Sequence, residues 1–344
     1  LTAYMDRPDR EVYAHVRSHA YIALGDLVGR GGDEKGGVKA RMIADLKNRR
    51  QKQWIHQSAV LALGQIAVPS DLDACKALMD YLASGKDIQA KNFCAIAIGQ
   101  IGGPKNRAFL LGKLSRSKSY VKPWLALGIA VMDFNTRRTQ PGYEGDMTAG
   151  FAVRQQFGKT KNPMYAAGMA VALGVMKNLD AGPEILERLH KVQSNEEPAG
   201  YLALSLGLMG YHDAKEDISA LVERSTRRQK LLTQCSVALG LLGDKNISMK
   251  LVARMRDHGN VVAVQSALAQ ALGLIGDRRC IAHLTQTLQD KNYKRIPRAF
   301  AAVALGLVGD KEEFPWNSKI AVNNNYRATI EPLTGNGTGI LDIL

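Results

Sequence analysis

The feature that most constrains this chain is a phrase that returns. It reads VALGLLGDKN at 237–246, QALGLIGDRR at 270–279 and VALGLVGDKE at 303–312. Aligning the chain on the glycine of this Ala-Leu-Gly-like triplet places it at Gly25, Gly64, Gly99, Gly128, Gly174, Gly207, Gly240, Gly273 and Gly306. The last five glycines stand 33 residues apart, and the earlier intervals are 39, 35, 29 and 46. Self-similarity at a period of roughly 20 to 50 residues marks a solenoid or array, in which each unit buries its apolar face on its neighbours.

Within one unit, residues 262–276 place Val262, Ala267, Ala269, Leu272 and Ile275 near helical spacing, as in a helix packed on several sides. Gly276 suits the left-handed conformation that ends helices, and Asp277 suits the cap of the next one. Ile281, Leu284 and Leu288 then recur at three and four residues, which predicts a second, amphipathic helix. Each unit is therefore helix, tight turn, helix. Alanines beside the marker glycine, among them Ala62, Ala97, Ala126, Ala172, Ala238, Ala271 and Ala304, form a stacking surface where a larger side chain would overlap the adjacent repeat. The low aromatic content, 6% of 344 residues, requires a core of small aliphatic side chains and suits such close packing.

Through the recurrent ALGxxGD followed by an amphipathic helix, residues 8 to 312 resemble the HEAT-repeat family, in particular the short HEAT-like repeats of phycobilin lyases. The resemblance implies an all-α, right-handed α-solenoid of about nine helical hairpins. It implies no single function, because these repeats serve many roles. Two regions leave the pattern. FNTRRTQPGYEGDMTAG at 134–150 reads as a protruding loop whose Arg137 and Arg138 are candidate partner-binding residues, and residues 313–344 read as an irregular tail that caps the last repeat through Trp316 and Ile320. The alternative for the tail is that its final ILDIL anchors a partner or a second copy.

The chemistry-bearing patterns are weak. A phosphate loop needs GxxxxGK(S/T) between strand and helix, and a KH-type GxxG belongs to a fold with strands, so a GxxGD at every repeat reads as a structural turn. Glu11, His15 and His19 share one helical face without an HExxH or a further ligand nearby, and read as a solvated face. His212, His258 and His283 have no nucleophile beside them. Cys75, Cys94, Cys235 and Cys280 lie in apolar stretches and read as buried thiols. No His-Glu dipeptide supports the diiron centre of a deoxyhypusine hydroxylase, no residue identifies a bilin site, and the catalytic set of HEAT-like DNA glycosylases finds no match. The sequence thus assigns no catalytic residue, no metal and no cofactor. No apolar run is long enough to span a bilayer. The chain reads as soluble, cytoplasmic or exported, since it opens on Leu1 rather than Met and an upstream signal is compatible with that.

The informative polar feature is charge. A formal net charge of +14 favours an anionic partner. The junctions between repeats carry Arg49, Arg50 and Lys52; Lys86; Arg116, Lys118 and Lys122; Lys159 and Lys161; Arg227, Arg228 and Lys230; and Lys291, Lys294, Arg295 and Arg298. Equivalent positions in stacked repeats line one edge, although Glu196 and Glu197 interrupt this one. The leading expectation is a non-catalytic protein–protein interaction scaffold whose basic ridge holds an acidic partner, possible members of a larger assembly included. A nucleic-acid-binding solenoid is the alternative, with Trp54, Tyr120 and Trp124 near the basic clusters, and a HEAT-like enzyme is the third reading.

Overall fold

The computed structural model describes residues 1–5, 14–33, 35–225, 228–244, 246–257 and 262–309, and every regular element among the described residues is helical. The chain divides into two compact units, residues 1–176 and 177–344.

In the first unit, α1 (Thr2–Met5) precedes α2 (Ala14–Val28), α3 (Gly37–Lys47), α4 (Gln53–Ile66), α5 (Leu72–Ser84), α6 (Ile88–Ile101), α7 (Pro104–Arg116), α8 (Lys122–Thr139), α9 (Met147–Lys159) and α10 (Pro163–Val175). The marker glycines fall on α2, α4, α6, α8 and α10, and these helices pack in series as one layer. The intervening helices α3, α5, α7 and α9 form a second layer, each nested chiefly on the first helix of the following repeat. Burial follows from position. Sandwiched α6 buries nearly every residue from Phe93 to Ile101, whereas α7 buries only Asn106, Leu110 and Leu114 along one stripe. Burying Leu110 and Leu114 contributes about 1.5–3 kcal/mol each, which fixes the register of α7 on the layer below.

At several repeats the marker glycine is where successive first helices come close. A Cβ on Gly99 would lie 2.0 Å from the carbonyl oxygen of Gly128, and one on Gly64 would lie 2.9 Å from the Cα and Cβ of Ala97. At Gly64 the obstacle is the alanine two residues before the next marker, as the stacking pattern predicts, whereas Gly99 meets the next marker glycine itself and Gly240 and Gly273 meet the side chains of Ile275 and Leu307. At Gly99 backbone meets backbone, so no rotamer change can make room.

The second unit comprises α11 (Gly182–Val192), α12 (Glu196–Met209), α13 (Lys215–Arg224), α14 (Gln229–Leu241), α15 (Ile247–Asp257), α16 (Val262–Ile275), α17 (Ile281–Gln289) and α18 (Arg295–Gly309). It repeats the same arrangement: α12, α14, α16 and α18 stack in series, and a Cβ on Gly207 would lie 2.7 Å from the Cα of Ala238. Its even 33-residue spacing reflects one turn used repeatedly. Gly210, Gly243 and Gly276, each three residues past a marker, have φ of 80°, 72° and 67°. Asp244 and Asp277 then accept the amides of Asn246 and Arg279, which closes the turn and starts the next helical segment. Lys177 occupies the same place after Gly174 with φ of 57°, the one non-glycine among the described residues at positive φ.

All four cysteines are free and buried. Burial pushes the thiols of Cys94, Cys235 and Cys280 up, the last two to about 12 and about 11, so they are protonated and unreactive at neutral pH. The irregular stretch at 134–150 is shorter than its composition predicts. Helix α8 continues through Thr139 and α9 begins at Met147, leaving 140–146 as loop, because Asp133 and Arg137 pair one turn apart and carry the helix onward. The tail at 313–344, with Trp316, Ile320 and ILDIL, lies outside the described residues, as do Glu11, Arg227, Lys245 and His258 and the side chain of His15.

Candidate partner-binding edge

Antiparallel hairpins place their loops alternately on two edges. In the first unit the junction loops 48–52, 85–87, 117–121 and 160–162 share one edge, and the intra-hairpin turns 29–36, 67–71, 102–103 and 140–146 share the other. The junction edge collects the carboxyl ends of α3, α5, α7 and α9, whose unpaired carbonyls favour cations. Arg49, Arg50 and Lys52, then Lys86, then Arg116 and Lys118, then Lys159 and Lys161 are exposed there. Lys122 belongs to the same edge but is half-buried and donates to Gln156 Oε1 of α9 at 2.6 Å. The one acid in these four loops is Asp87. Its carboxylate is spent internally, accepting from Gln57 Nε2 at 2.7 Å and from the amides of Gln89 and Ala90 at the start of α6.

The structure separates Arg137 and Arg138 from this group. They sit at the far end of α8, about 24 Å from Lys122 at 1.5 Å per residue, on the turn edge. Arg137 is committed to Asp133 at 2.7 Å and to the carbonyl of Met176 at 2.9 Å, leaving Arg138 exposed.

The second unit uses several of its cations to hold itself together. Arg228 donates to the carbonyl of Gln193 at 2.7 Å, Arg254 to those of Val222 and Glu223, and Arg298 to that of Leu288 at 2.8 Å. Each caps carbonyls at or near the end of a second helix. Glu196, which interrupts the basic series in sequence, accepts the amides of Lys230 and Leu231 and so caps the first turn of α14. Lys230, Lys291, Lys294 and Arg295 remain exposed. Among the described residues, the acid-poor, outward-facing run of positive charge therefore lies in the first unit.

Aromatic stacking partners are scarce on that edge. Trp124 is half-buried and packs edge-on against Phe93, with ring centroids 6.2 Å apart, and Trp54 is also half-buried. Tyr120 stands out, 44% exposed between Lys118 and Lys122.

Sequence reasoning passed over the polar cluster that ties down the opposite edge. Asp133, 2% exposed, accepts Arg137, the Tyr143 hydroxyl at 2.9 Å and the Asp146 amide at 2.7 Å. Asp146 in turn accepts from Nε and Nη2 of Arg107 and caps α9 through the Ala149 amide. The Arg107 hydrogen bond holds the Asp146 carboxyl below its ordinary value, outweighing burial, and burial followed by Asp133 pushes the Tyr143 hydroxyl up. The readable signal was a lone Asp in the apolar run GIAVMDFNTRR, four residues before an Arg. Among the described residues no group of three or more His, Cys, Asp or Glu side chains could hold a metal ion, and no helix is long and apolar enough to cross a membrane.

Residues 264–290, which are most of α16 and all of α17, match the family model described as PBS lyase HEAT-like repeat, so this hairpin is a HEAT-like repeat. No curated protein matches the chain. Among solved structures, the chain is similar to the complex of CpcE and CpcF of phycocyanin lyase from Nostoc sp. PCC7120. That match has 18% identity, covers 82% of this chain and 90% of that one, and has a TM-score of 0.38. It is also similar to human deoxyhypusine hydroxylase in complex with glycerol, at 16% identity, covering 83% and 99%, with a TM-score of 0.36.

Proposed function

We propose that this HEAT-like repeat protein is a non-catalytic scaffold that holds an acidic protein partner along the junction edge of its first unit. The observation that carries this reading is the run of exposed lysines and arginines over four successive junctions, in which the single acid, Asp87, is already used as a helix cap. Packed helices lie about 8–10 Å apart, close to the Debye length of about 8 Å at physiological salt, so neighbouring clusters act as one continuous field. Such a field steers encounter and rejects basic partners. Exposed ion pairs contribute about 0.2–1 kcal/mol each, so half a dozen of them supply about 1–6 kcal/mol, short of the roughly 8 kcal/mol of a micromolar complex. The edge therefore sets orientation and on-rate, and an apolar contact must supplement it.

The scarcity of exposed aromatic rings beside the edge favours a protein over single-stranded nucleic acid, which relies on base stacking. The test is a titration at low and physiological salt with three probes: a polyglutamate peptide, duplex DNA and single-stranded RNA. The reading expects the polyglutamate peptide to bind at low salt and to lose at least tenfold in affinity when Arg50, Lys52, Arg116 and Lys118 are all reversed to Glu. DNA or RNA bound more tightly than the peptide at both salts, with the same four residues required, would replace this reading with a nucleic-acid one.

A further inference from the structure

A groove opens between α5 and α7 in the first unit. Its volume is about 610 Å³, and its lining is chiefly Pro69, Leu72, Cys75, Met79 and Phe109 with the paired glycines Gly102 and Gly103. Those glycines, at φ of 76° and 93°, turn the chain abruptly into α7. A Cβ on Gly103 would strike the Pro69 ring at 2.8 Å, so the glycine lets the two turns meet and close the end of the groove. Asn106 braces the floor by donating to the carbonyl of Gly102 at 2.8 Å and to Cys75 Sγ at 3.4 Å.

The charged residues that line the groove are Lys76 and Lys105, one on each wall, both exposed, and no acid lines it. Asp73 and Asp80 of α5 are exposed on either side of Lys76 but lie outside the lining. The amino end of α7 carries no side-chain cap, which adds positive character beside Lys105. Leu72 at the mouth is 57% exposed. Beyond α7, whose Arg107 grips the N-cap Asp146 of α9, the first turns of α9 leave Met147 and Phe151 83% and 66% exposed. The groove itself thus pairs an apolar lining with cations and no acid, the complement of an acidic amphipathic segment. The groove also shares its walls with the basic edge: from Phe109 to Arg116 is seven residues of α7, about 10 Å.

We infer that this groove receives an amphipathic helix of the acidic partner, with apolar side chains between Leu72, Met79 and Phe109 and carboxylates on Lys76 and Lys105. The inference rests on the scaffold reading and names the apolar contact that the charged edge lacks. Helix-in-groove recognition reads anchors at i, i+3, i+4 and i+7, and α5 and α7 supply the two walls that such a stripe would meet.

The experiment uses the full chain and a labelled 18-residue peptide with leucines on one helical face and glutamates on the other. Two controls are an all-glutamate 18-mer and a scrambled peptide of the same composition as the first, and laurate serves as a competitor. The amphipathic peptide is expected to bind at least tenfold more tightly than either control. Lys105→Glu, which is exposed and leaves the core intact, and Phe109→Ser, checked for helicity by circular dichroism, are each expected to abolish that gain while leaving the all-glutamate peptide unchanged. If the amphipathic peptide gains nothing over the all-glutamate one, the groove assignment falls while the edge reading stands. Failure of the all-glutamate peptide to bind, with a Lys105-dependent amphipathic complex intact, removes the edge reading and leaves the groove. Laurate binding that depends on Phe109 and is not displaced by the peptide overturns the inference in favour of a small amphiphile.

Discussion

Glycine-to-alanine substitutions should change sign with position, and the structure gives the size of the difference. Gly99 lies in α6 with the Gly128 carbonyl oxygen 2.0 Å from where a Cβ would sit, and the Gly128 Cα at 2.9 Å. Ordinary contact begins near 3.4 Å, so α6 and α8 must part by more than 1 Å, and a gap of roughly 0.5–1 Å already forfeits a quarter to a half of the dispersion energy of the atoms that face each other. Overpacking of this kind costs about 1–3 kcal/mol, and a rigid backbone obstacle puts Gly99→Ala at about 3 kcal/mol. Gly112 in α7 and Gly158 in α9 are exposed, and a Cβ there meets nothing within 4 Å. Both should gain about 0.5–1 kcal/mol from the better helix former. Urea unfolding followed by circular dichroism reads all three variants. Gly99→Ala should lower the midpoint, and Gly112→Ala and Gly158→Ala should raise it. A Gly99→Ala protein as stable as wild type would mean that the glycine is not where adjacent repeats touch, and the account of the repeat would be wrong.

Three further perturbations follow from named contacts. Lys177→Gly should stabilise by about 0.5–1 kcal/mol, since a left-handed conformation costs an L-residue about 1–2 kcal/mol and the glycine's unfolded-state entropy returns only part of it; thermal unfolding checks this. Glu196→Ala should cost about 1 kcal/mol by uncapping α14, with faster amide exchange at Lys230 and Leu231 as the local readout. Asp146 has a carboxyl held below its ordinary 3.8. A depressed folded value means that its contribution is fully present above about pH 4 and is lost as pH falls through the lower folded value. Asp146→Asn should therefore destabilise the wild-type fold at pH 7 and flatten the acid limb of the stability profile; an unchanged acid limb would contradict the clasp.

The helical hairpin was legible because its marker glycine recurs nine times in the sequence, and repetition averages away local ambiguity. Helix, turn and capping Asp could be read from GLLGDKN and GLIGDRR alone. The loop expected over 134–150 is too long because its Pro, Gly, Thr and Asn content does not reveal the Asp133–Arg137 pair one turn apart on α8, which runs to Thr139. The basic positions were legible as a class but not in their duties. Arg228 and Arg298 look the same in sequence as Arg50 and Lys118, yet the first two are drawn onto the carbonyls of Gln193 and Leu288 across the repeat. Which cations are consumed internally depends on neighbours about 10 to 35 positions away. The groove was invisible for the same reason: Leu72 and Met79 lie on α5 and Phe109 on α7, about 30 or more positions away, and only the fold brings them to one lining.

The central claim is that the junction edge of the first unit meets an acidic protein. Its most direct test is side-by-side affinity capture from the native source, using the wild-type chain and the Arg50, Lys52, Arg116 and Lys118 to Glu variant, with amine-to-carboxylate cross-linking mapped on the captured partner. The account predicts cross-links from Lys52, Lys86 and Lys118 to acidic segments of one protein, and at least tenfold less of that protein on the reversed edge. Equal capture by both chains, with cross-links confined to other surfaces, would contradict it.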